Sequence, residues 1–250
     1  MTENSPAPEI ADRLAMVREA AARAARTSGR SPEEVTLIAV SKLHPAGAVV
    51  DAALAGQRDF GENYVQEALA KQEVLAGREA LAGLKLNWHF IGGLQRNKAK
   101  FLPGRFAMIH TLDSLKLAQS LHKRLLEHGG PPQDVLIEVN LAGETQKAGV
   151  DEAKILGLAE AVMQMPGFAL QGLMLMPPFF EDPEGTRPFF ARLRKLRDTL
   201  ETKLAAKLPA LSMGMSQDFE QAIQEGATHV RVGTRIFGPR PCGINQETRT

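Results

Sequence analysis

The sequence predicts an α/β protein folded as a single (β/α)8 TIM barrel. Three observations indicate this fold: short apolar runs of strand-like composition alternate with longer amphipathic stretches, eight such runs occur, and 250 residues is the usual size of such a barrel. Strands that alternate with helices pair in parallel through right-handed crossovers. We therefore expect one domain over residues 1–250, with an ordered core from about residue 10 to 240 and a short C-terminal tail.

The predicted strands begin with residues 35–40, a nearly continuous apolar and partly β-branched run of the kind found in strands buried on both faces. Seven more strands are predicted at residues 58–61, 86–91, 108–111, 135–139, 170–174, 211–213 and 229–232. An open doubly wound sheet is the alternative architecture. No Gly-x-Gly-x-x-Gly motif follows the first strand, which argues against a dinucleotide-binding fold.

The predicted helices begin before the first strand, at residues 10–26, where Leu14, Val17 and Ala21 recur at helical spacing. Seven further helices are predicted between the strands, at residues 46–55, 63–76, 95–101, 114–128, 151–164, 184–206 and 217–225. One helix between each pair of successive strands is the pattern that the barrel requires.

Composition excludes several classes of function. The chain has 30 basic and 29 acidic residues, and this near-zero net charge argues against nucleic-acid binding while allowing one small anion. No apolar run approaches the roughly 20 residues that span a bilayer, and the N-terminus lacks a signal-peptide stretch, so we expect a cytoplasmic protein without membrane contact. The single cysteine, Cys242, is expected to be an incidental thiol in the tail, and the scattered histidines predict no metal site. The sequence shows no apolar surface pattern typical of a subunit interface, which favours a monomer.

Lys42 follows the first predicted strand, at the end of the barrel where proteins of this fold build their sites. Burial at the barrel mouth would lower the pKa of this lysine and make a neutral amine available for a Schiff base. The alternative is a solvated loop lysine, which position alone favours slightly because lysines are mostly exposed.

Small residues follow the last two predicted strands, where (β/α)8 proteins commonly bind phosphate. The segment 211–216 runs directly into the helix predicted at 217–225, and a helix start presents free N–H groups to an anion. Gly233 allows close approach of the backbone, and Thr234 adds a hydroxyl donor. A lysine facing a phosphate cradle indicates a phosphorylated aldehyde held as an imine, either pyridoxal 5′-phosphate (PLP) or a sugar phosphate.

Several motifs occur in order between about residues 10 and 240, at 39–42, 60–67, 88–92, 94–98, 139–140, 147–149, 172–174 and 211–238. Together they resemble the pyridoxal phosphate homeostasis proteins of the YggS/PROSC type, vitamin B6-binding relatives of the barrel domain of alanine racemase. The resemblance implies an alanine racemase N-terminal-domain-like barrel in which Lys42 forms the internal aldimine with PLP. It also implies that Ser216, Gly233 and Thr234 hold the phosphate.

Four further site residues are implied by the resemblance. Arg231 matches the arginine that faces the pyridine nitrogen, Asn63 lies in a motif near the cofactor, and Met174 and Met213 line its ring. Leu43 departs from the family pattern, which commonly has Thr after the lysine, and this puts a hydroxyl contact beside the lysine in doubt.

Three functions are compatible with such a site: a PLP-binding regulator that supplies PLP-dependent apoenzymes without dedicated turnover, an amino-acid racemase, and a Schiff-base aldolase. The guanidinium of Arg231 disfavours protonation of the ring nitrogen, which weakens the cofactor as an electron sink. Related racemases use a tyrosine from a second domain, for which we expect no room because only ten residues follow Arg240. The only tyrosine is Tyr64, and His89 or His110 would have to serve as the second base. The first function is therefore favoured, with no catalytic residue assigned.

Overall fold

Eight parallel strands close into a barrel in the computed structural model, which describes residues 9–143 and 148–240. Around the ring, in order, lie β1 (Thr36–Val40), β2 (Asp59–Glu62), β3 (Asn87–Phe90), β4 (Met108–Leu112), β5 (Gln133–Asn140), β7 (Phe168–Leu175), β8 (Ala210–Ser212) and β9 (His229–Val232). Pairing of β1 with β9 and of β4 with β5 closes the ring, which confirms the predicted fold. A two-residue strand, β6 (Val150–Asp151), pairs with β5 outside it. The predicted tail from residue 241, with Cys242, and Lys147 of one motif lie outside the described residues.

The barrel is surrounded by helices α1 (Ile10–Thr27), α2 (Ala46–Leu54), α3 (Val65–Ala76), α4 (Leu115–His128), α5 (Ile155–Met163), α6 (Arg187–Leu204), α7 (Phe219–Gln224) and α8 (Thr234–Phe237). The helix predicted at 95–101 is instead a 3-10 helix, Arg96–Phe101. Only Ala99 of that segment is buried, so it has no apolar face to pack a longer α-helix against the barrel. Among the described residues, no helix is long and apolar enough to cross a bilayer.

The interior of the barrel differs in chemistry from the layer between strands and helices. The outer layer is apolar; α1, for example, buries Leu14, Val17 and Ala21, as its spacing predicts. Inside the barrel, a small apolar cluster shares the space with buried polar side chains. This cluster consists of Met108, Leu136, Met174 and Ala210, and the polar group comprises His89, His110, Glu138, Ser212 and Arg231.

Candidate functional site

A cavity of about 320 Å³ opens at the carboxyl ends of the barrel strands. Its walls include cationic, hydroxyl and amide groups together with an apolar rim that contains Met176 and Phe179. Six of the eight sequence-predicted site residues line it: Lys42, Asn63, Ser216, Arg231, Gly233 and Thr234. The fold therefore brings together side chains that lie far apart in the sequence.

Lys42 reaches this cavity from the turn after β1. Partial burial lowers the pKa of its amine, and the neighbouring cations Arg240 and Arg231 lower it further. Glu62 and Glu67 act in the opposite direction, but the net shift is downward. A lower pKa raises the fraction of neutral amine at neutral pH, which is the nucleophilic form.

The backbone on both sides of Lys42 is held by two residues of α3. Leu43 adopts a left-handed conformation with φ of 63°, and its N–H donates to Glu67 Oε1 at 2.5 Å. Lys71 Nζ donates to the Ser41 carbonyl oxygen at 2.6 Å and to Glu67 Oε1 at 2.7 Å. The left-handed region costs an L-residue roughly 1–2 kcal/mol, so these contacts stabilise the turn that directs the Lys42 side chain.

Glu62 completes this buried group. Its Oε1 accepts from Lys71 Nζ at 2.6 Å and from Ser41 Oγ at 2.7 Å. Burial raises the pKa of the Glu62 carboxyl to about 7 against the opposing charge of Lys71. Sequence reasoning missed this group, although the i,i+4 spacing of Glu67 and Lys71 on a predicted helix was a usable signal.

The turns after β8 and β9 meet beside the cavity. The Gly233 N–H donates to Ser216 Oγ at 3.2 Å, which ties the two turns together. A Cβ atom at position 233 would lie 3.3 Å from the Val40 carbonyl oxygen, so glycine permits the close approach of β9 to β1 here. Thr234 is exposed and begins α8, where the first N–H groups have no partner within the helix. These groups form a set of donors suited to a small anion.

The helix predicted to begin at residue 217 begins later, at Phe219. A turn replaces its start, because Asp218 Oδ1 accepts the Met215 N–H at 2.6 Å. Asp218 is buried, lines the cavity, and has its pKa raised by that burial. Ser216 therefore reaches the cavity from a turn stabilised by Asp218, a residue that sequence reasoning did not assign to the site.

Arg231 forms part of the cavity wall from β9 while remaining only 4% exposed. Its Nη1 donates to Ser212 Oγ at 2.6 Å and its Nη2 donates to the Leu175 carbonyl oxygen at 2.9 Å. Burial lowers the pKa of the guanidinium to about 10, opposed by Glu138 and Asp218. The group is therefore cationic at neutral pH and held from two sides.

Asn63 supplies the observation that most directly indicates a ligand-binding site. Its Oδ1 is buried and has no hydrogen-bond partner among the described residues, while the residue lines the cavity. An unpaired buried acceptor costs about 1–3 kcal/mol. A hydrogen-bond donor of a bound molecule would satisfy this atom. Together with the donors of the turns after β8 and β9, it fits a compact ligand that carries a phosphate and a further polar group.

Met174 and Met213 do not line the cavity. Met174 lies inside the barrel in its small apolar cluster, and Met213 packs in the outer apolar layer. Met176 and Met215, two residues farther along from each, do line the cavity. The strands end at Leu175 and Ser212, so a residue must lie beyond the strand end to face the opening.

The side chains considered as a second base lie elsewhere. His89 and His110 are buried inside the barrel, where His89 Nδ1 lies 3.0 Å from His110 Nε2. Tyr64 precedes α3 and is half-buried outside the cavity lining. Among the described residues, none of the three faces the cavity.

Comparisons with known proteins agree with the fold and identify the family of this chain. Residues 14–241 match the family model for the alanine racemase N-terminal domain. Pyridoxal phosphate homeostasis proteins of Pseudomonas aeruginosa and Aquifex aeolicus are 47% and 44% identical, over 94% and 92% of this chain and 97% of each relative. The structure of PipY from Synechococcus elongatus with PLP bound is 38% identical, with a TM-score of 0.80 over 92% of this chain and all of that one. Alanine racemase of Corynebacterium glutamicum shares the fold at 19% identity, with a TM-score of 0.65 over 94% of this chain and 64% of that one.

Proposed function

Because this chain belongs to the alanine racemase N-terminal domain family and, within it, to the pyridoxal phosphate homeostasis proteins, we propose that it binds PLP and serves the homeostasis of that cofactor. The observation that supports this most is the convergence of Lys42, Arg231 and the Ser216–Gly233–Thr234 donor set on one cavity. The relatives carry the name of this function, and PipY has been solved with PLP bound.

Lys42 is the residue that we propose to hold the cofactor covalently. PLP, when bound, supplies an aldehyde on an electron-withdrawing ring. The neutral amine of Lys42 attacks the aldehyde carbon, and formation of the imine releases one water molecule. The lowered pKa of Lys42 supports this step, and Lys71 and Glu67 keep the turn around it in place.

The remaining cavity residues bind and orient the cofactor in this proposal. Ser216, Gly233 and Thr234 hold the phosphate, with hydroxyl donors from Ser216 and Thr234 and close backbone approach at Gly233, and Arg231 faces the ring nitrogen. An arginine there keeps the ring nitrogen unprotonated, so the cofactor stabilises a substrate carbanion only weakly. This favours a protein that holds PLP without a dedicated substrate. A monomeric state, a cytoplasmic location and transfer to PLP-dependent apoenzymes stay predictions from the sequence.

The proposal is tested by the absorbance of the purified protein after incubation with PLP. The wild-type protein is expected to show the band of a lysine imine, and Lys42→Ala is expected to lose it. Lys116→Ala is the matched control because Lys116 is exposed on α4, and its spectrum should equal that of the wild type. An imine band that persists in Lys42→Ala would overturn the role of this lysine.

A further inference from the structure

A row of hydrogen bonds crosses the inside of the barrel and ends at Arg231. His89 Nε2 lies 3.1 Å from Asp59 Oδ1, and His89 Nδ1 lies 3.0 Å from His110 Nε2. His110 Nδ1 lies 2.9 Å from Ser212 Oγ, which also accepts from Arg231 Nη1 at 2.6 Å. This interior row links β2, β3, β4, β8 and β9, and only its Asp59 end is partly exposed.

The two ends of the interior row determine the proton positions within it. A guanidinium can only donate and a carboxylate can only accept, so Arg231 donates to Ser212 and His89 donates from Nε2 to Asp59. A neutral His89 then accepts at Nδ1 from the Nε2–H of His110. His110 in turn accepts at Nδ1 from the Ser212 hydroxyl. Every donor in the row thus has an acceptor, and all the bonds point from the cation towards the carboxylate.

The opposite polarity leaves a buried donor unpaired. If His89 were doubly protonated, His110 would donate from Nδ1 to Ser212, which already accepts from Arg231. The hydroxyl hydrogen of Ser212 would then have no acceptor among the described hydrogen bonds, although Ser212 is fully buried. It would also place a second cation in a row that already ends in a guanidinium.

The groups that surround the interior row favour a neutral imidazole at His110 and at the neighbouring His229. Burial lowers the pKa of His110 well below its usual range, and His89, His229 and Arg231 add to that shift. His229, whose ring centroid lies 5.9 Å from that of His110, has its pKa lowered to about 4 by burial. Glu138 faces the Arg231 end of the row, and burial raises the pKa of its carboxyl to about 7.

We propose that Asp59, His89, His110 and Ser212 are positioning residues that hold the Arg231 guanidinium in one orientation at the wall of the cavity. A carboxylate on the first residue of β2 thereby acts on the cofactor pocket through three intervening side chains. The role of Arg231 towards the PLP ring rests on the proposed function. The direction of the hydrogen bonds in the row and the fixed orientation of Arg231 rest only on the contacts inside the barrel.

The polarity is tested by two-bond ¹H–¹⁵N spectra of the protein without PLP. His89 and His110 are each expected to carry a proton only on Nε2, and Arg231 to give separate Nη signals because its rotation is restricted. Ser212→Ala removes the contact of Nη1 and leaves that of Nη2 with the Leu175 carbonyl oxygen, so the Nη1 signal of Arg231 should move while the Nη2 signal changes less. A proton on Nδ1 of either histidine, or an Nη1 signal unchanged in Ser212→Ala, would overturn the interior row as described.

The effect on the cofactor pocket is tested by titrating the same proteins with PLP and, separately, with inorganic phosphate. Ser212→Ala and Asp59→Ala are expected to weaken PLP binding about tenfold, as loss of an arginine contact predicts, with phosphate binding changed less than about twofold. Asp51→Ala, an exposed carboxylate on α2, is the control and should change neither.

The outcomes separate the two proposals. Equal weakening of PLP and phosphate would show a general structural effect and contradict positioning, as would unchanged PLP binding in both variants. Failure of the wild-type protein to bind PLP would overturn the proposed function, while the spectra without PLP would still decide the polarity of the row and its hold on Arg231.

Discussion

Lys71 pairs with the buried carboxylate of Glu62 and the partly buried carboxylate of Glu67 and touches the backbone beside Lys42, so its removal tests how the reactive lysine is held. Lys71→Met leaves both carboxylates without their cation, which is expected to cost about 3–5 kcal/mol of unfolding free energy. Urea denaturation measures this loss. Lys116→Met on the exposed face of α4 is the control and should change stability by less than about 0.5 kcal/mol. A loss below about 1 kcal/mol in Lys71→Met would contradict the proposed role.

The raised pKa of Glu62 predicts a specific pH dependence of stability. Between the unfolded value of 4.5 and the folded value of about 7, the folded state binds more protons than the unfolded state. The contribution of Glu62 to stability is therefore full below pH 4.5 and is lost as pH rises through about 7. Glu62→Gln mimics the protonated form, so its stability relative to wild type should rise by about 1–3 kcal/mol from pH 4.5 to pH 8.

The comparison for Glu62→Gln is made by urea denaturation of both proteins across that pH range. The neighbours of Glu62 are unchanged in the variant, so their own titration largely cancels in the difference. A difference between the two proteins that does not change with pH would show that Glu62 does not titrate in this range.

At the scale of elements, the turn between β9 and α8 is the part of the proposed phosphate site (Ser216, Gly233 and Thr234) that is most sensitive to backbone position. Gly233→Ala adds a methyl group 3.3 Å from the Val40 carbonyl oxygen, which requires this turn to shift by a few tenths of an ångström. We expect phosphate and PLP binding to weaken about tenfold together. Isothermal titration of both ligands measures the effect. Gly47→Ala in α2, where a Cβ meets nothing within 4 Å, should leave both affinities unchanged.

The strands were predictable from sequence because buried parallel strands carry continuous apolar runs, and each predicted run overlaps an observed barrel strand. The family resemblance implies Met174 and Met213 as ring contacts, but the strands end at Leu175 and Ser212, and Met176 and Met215 line the cavity instead. Lys42 and Gly233 could be found because each lies within two residues of a strand end. The i,i+4 spacing of Glu67 and Lys71 predicts their ion pair, but the contact of Glu67 with the Leu43 N–H could not be predicted, because it depends on how α3 packs beside β1.

The interior of the barrel was the least predictable layer. His89 and His110 occur in apolar-looking strands 21 residues apart, and nothing local in the sequence shows that they form a hydrogen bond. Their pairing depends on barrel closure, which brings inward-facing side chains of several strands to the same level. Sequence reasoning therefore offered them as bases at the cavity, whereas both lie below it.

At the scale of the whole molecule, the arrangement predicts very weak racemase chemistry. Among the described residues, His89, His110 and Tyr64 do not line the cavity, so none of the second bases considered from the sequence faces Lys42 across it. Under the proposed placement of Arg231 at the ring nitrogen, we expect alanine racemisation no faster than with free PLP in buffer. A coupled assay for D-alanine measures this. Turnover far above free PLP would favour the racemase alternative over a cofactor-holding protein.

The central claim is that Lys42 holds PLP covalently in the cavity at the barrel mouth. The most direct measurement is reduction of the PLP-loaded protein with borohydride, followed by proteolysis and peptide mass spectrometry. Reduction makes the bond between the cofactor and its lysine permanent, so the modified peptide identifies the residue. We predict one stoichiometric modification, on Lys42. Stoichiometric modification of another lysine with Lys42 unmodified, or no modification at all, would contradict the claim.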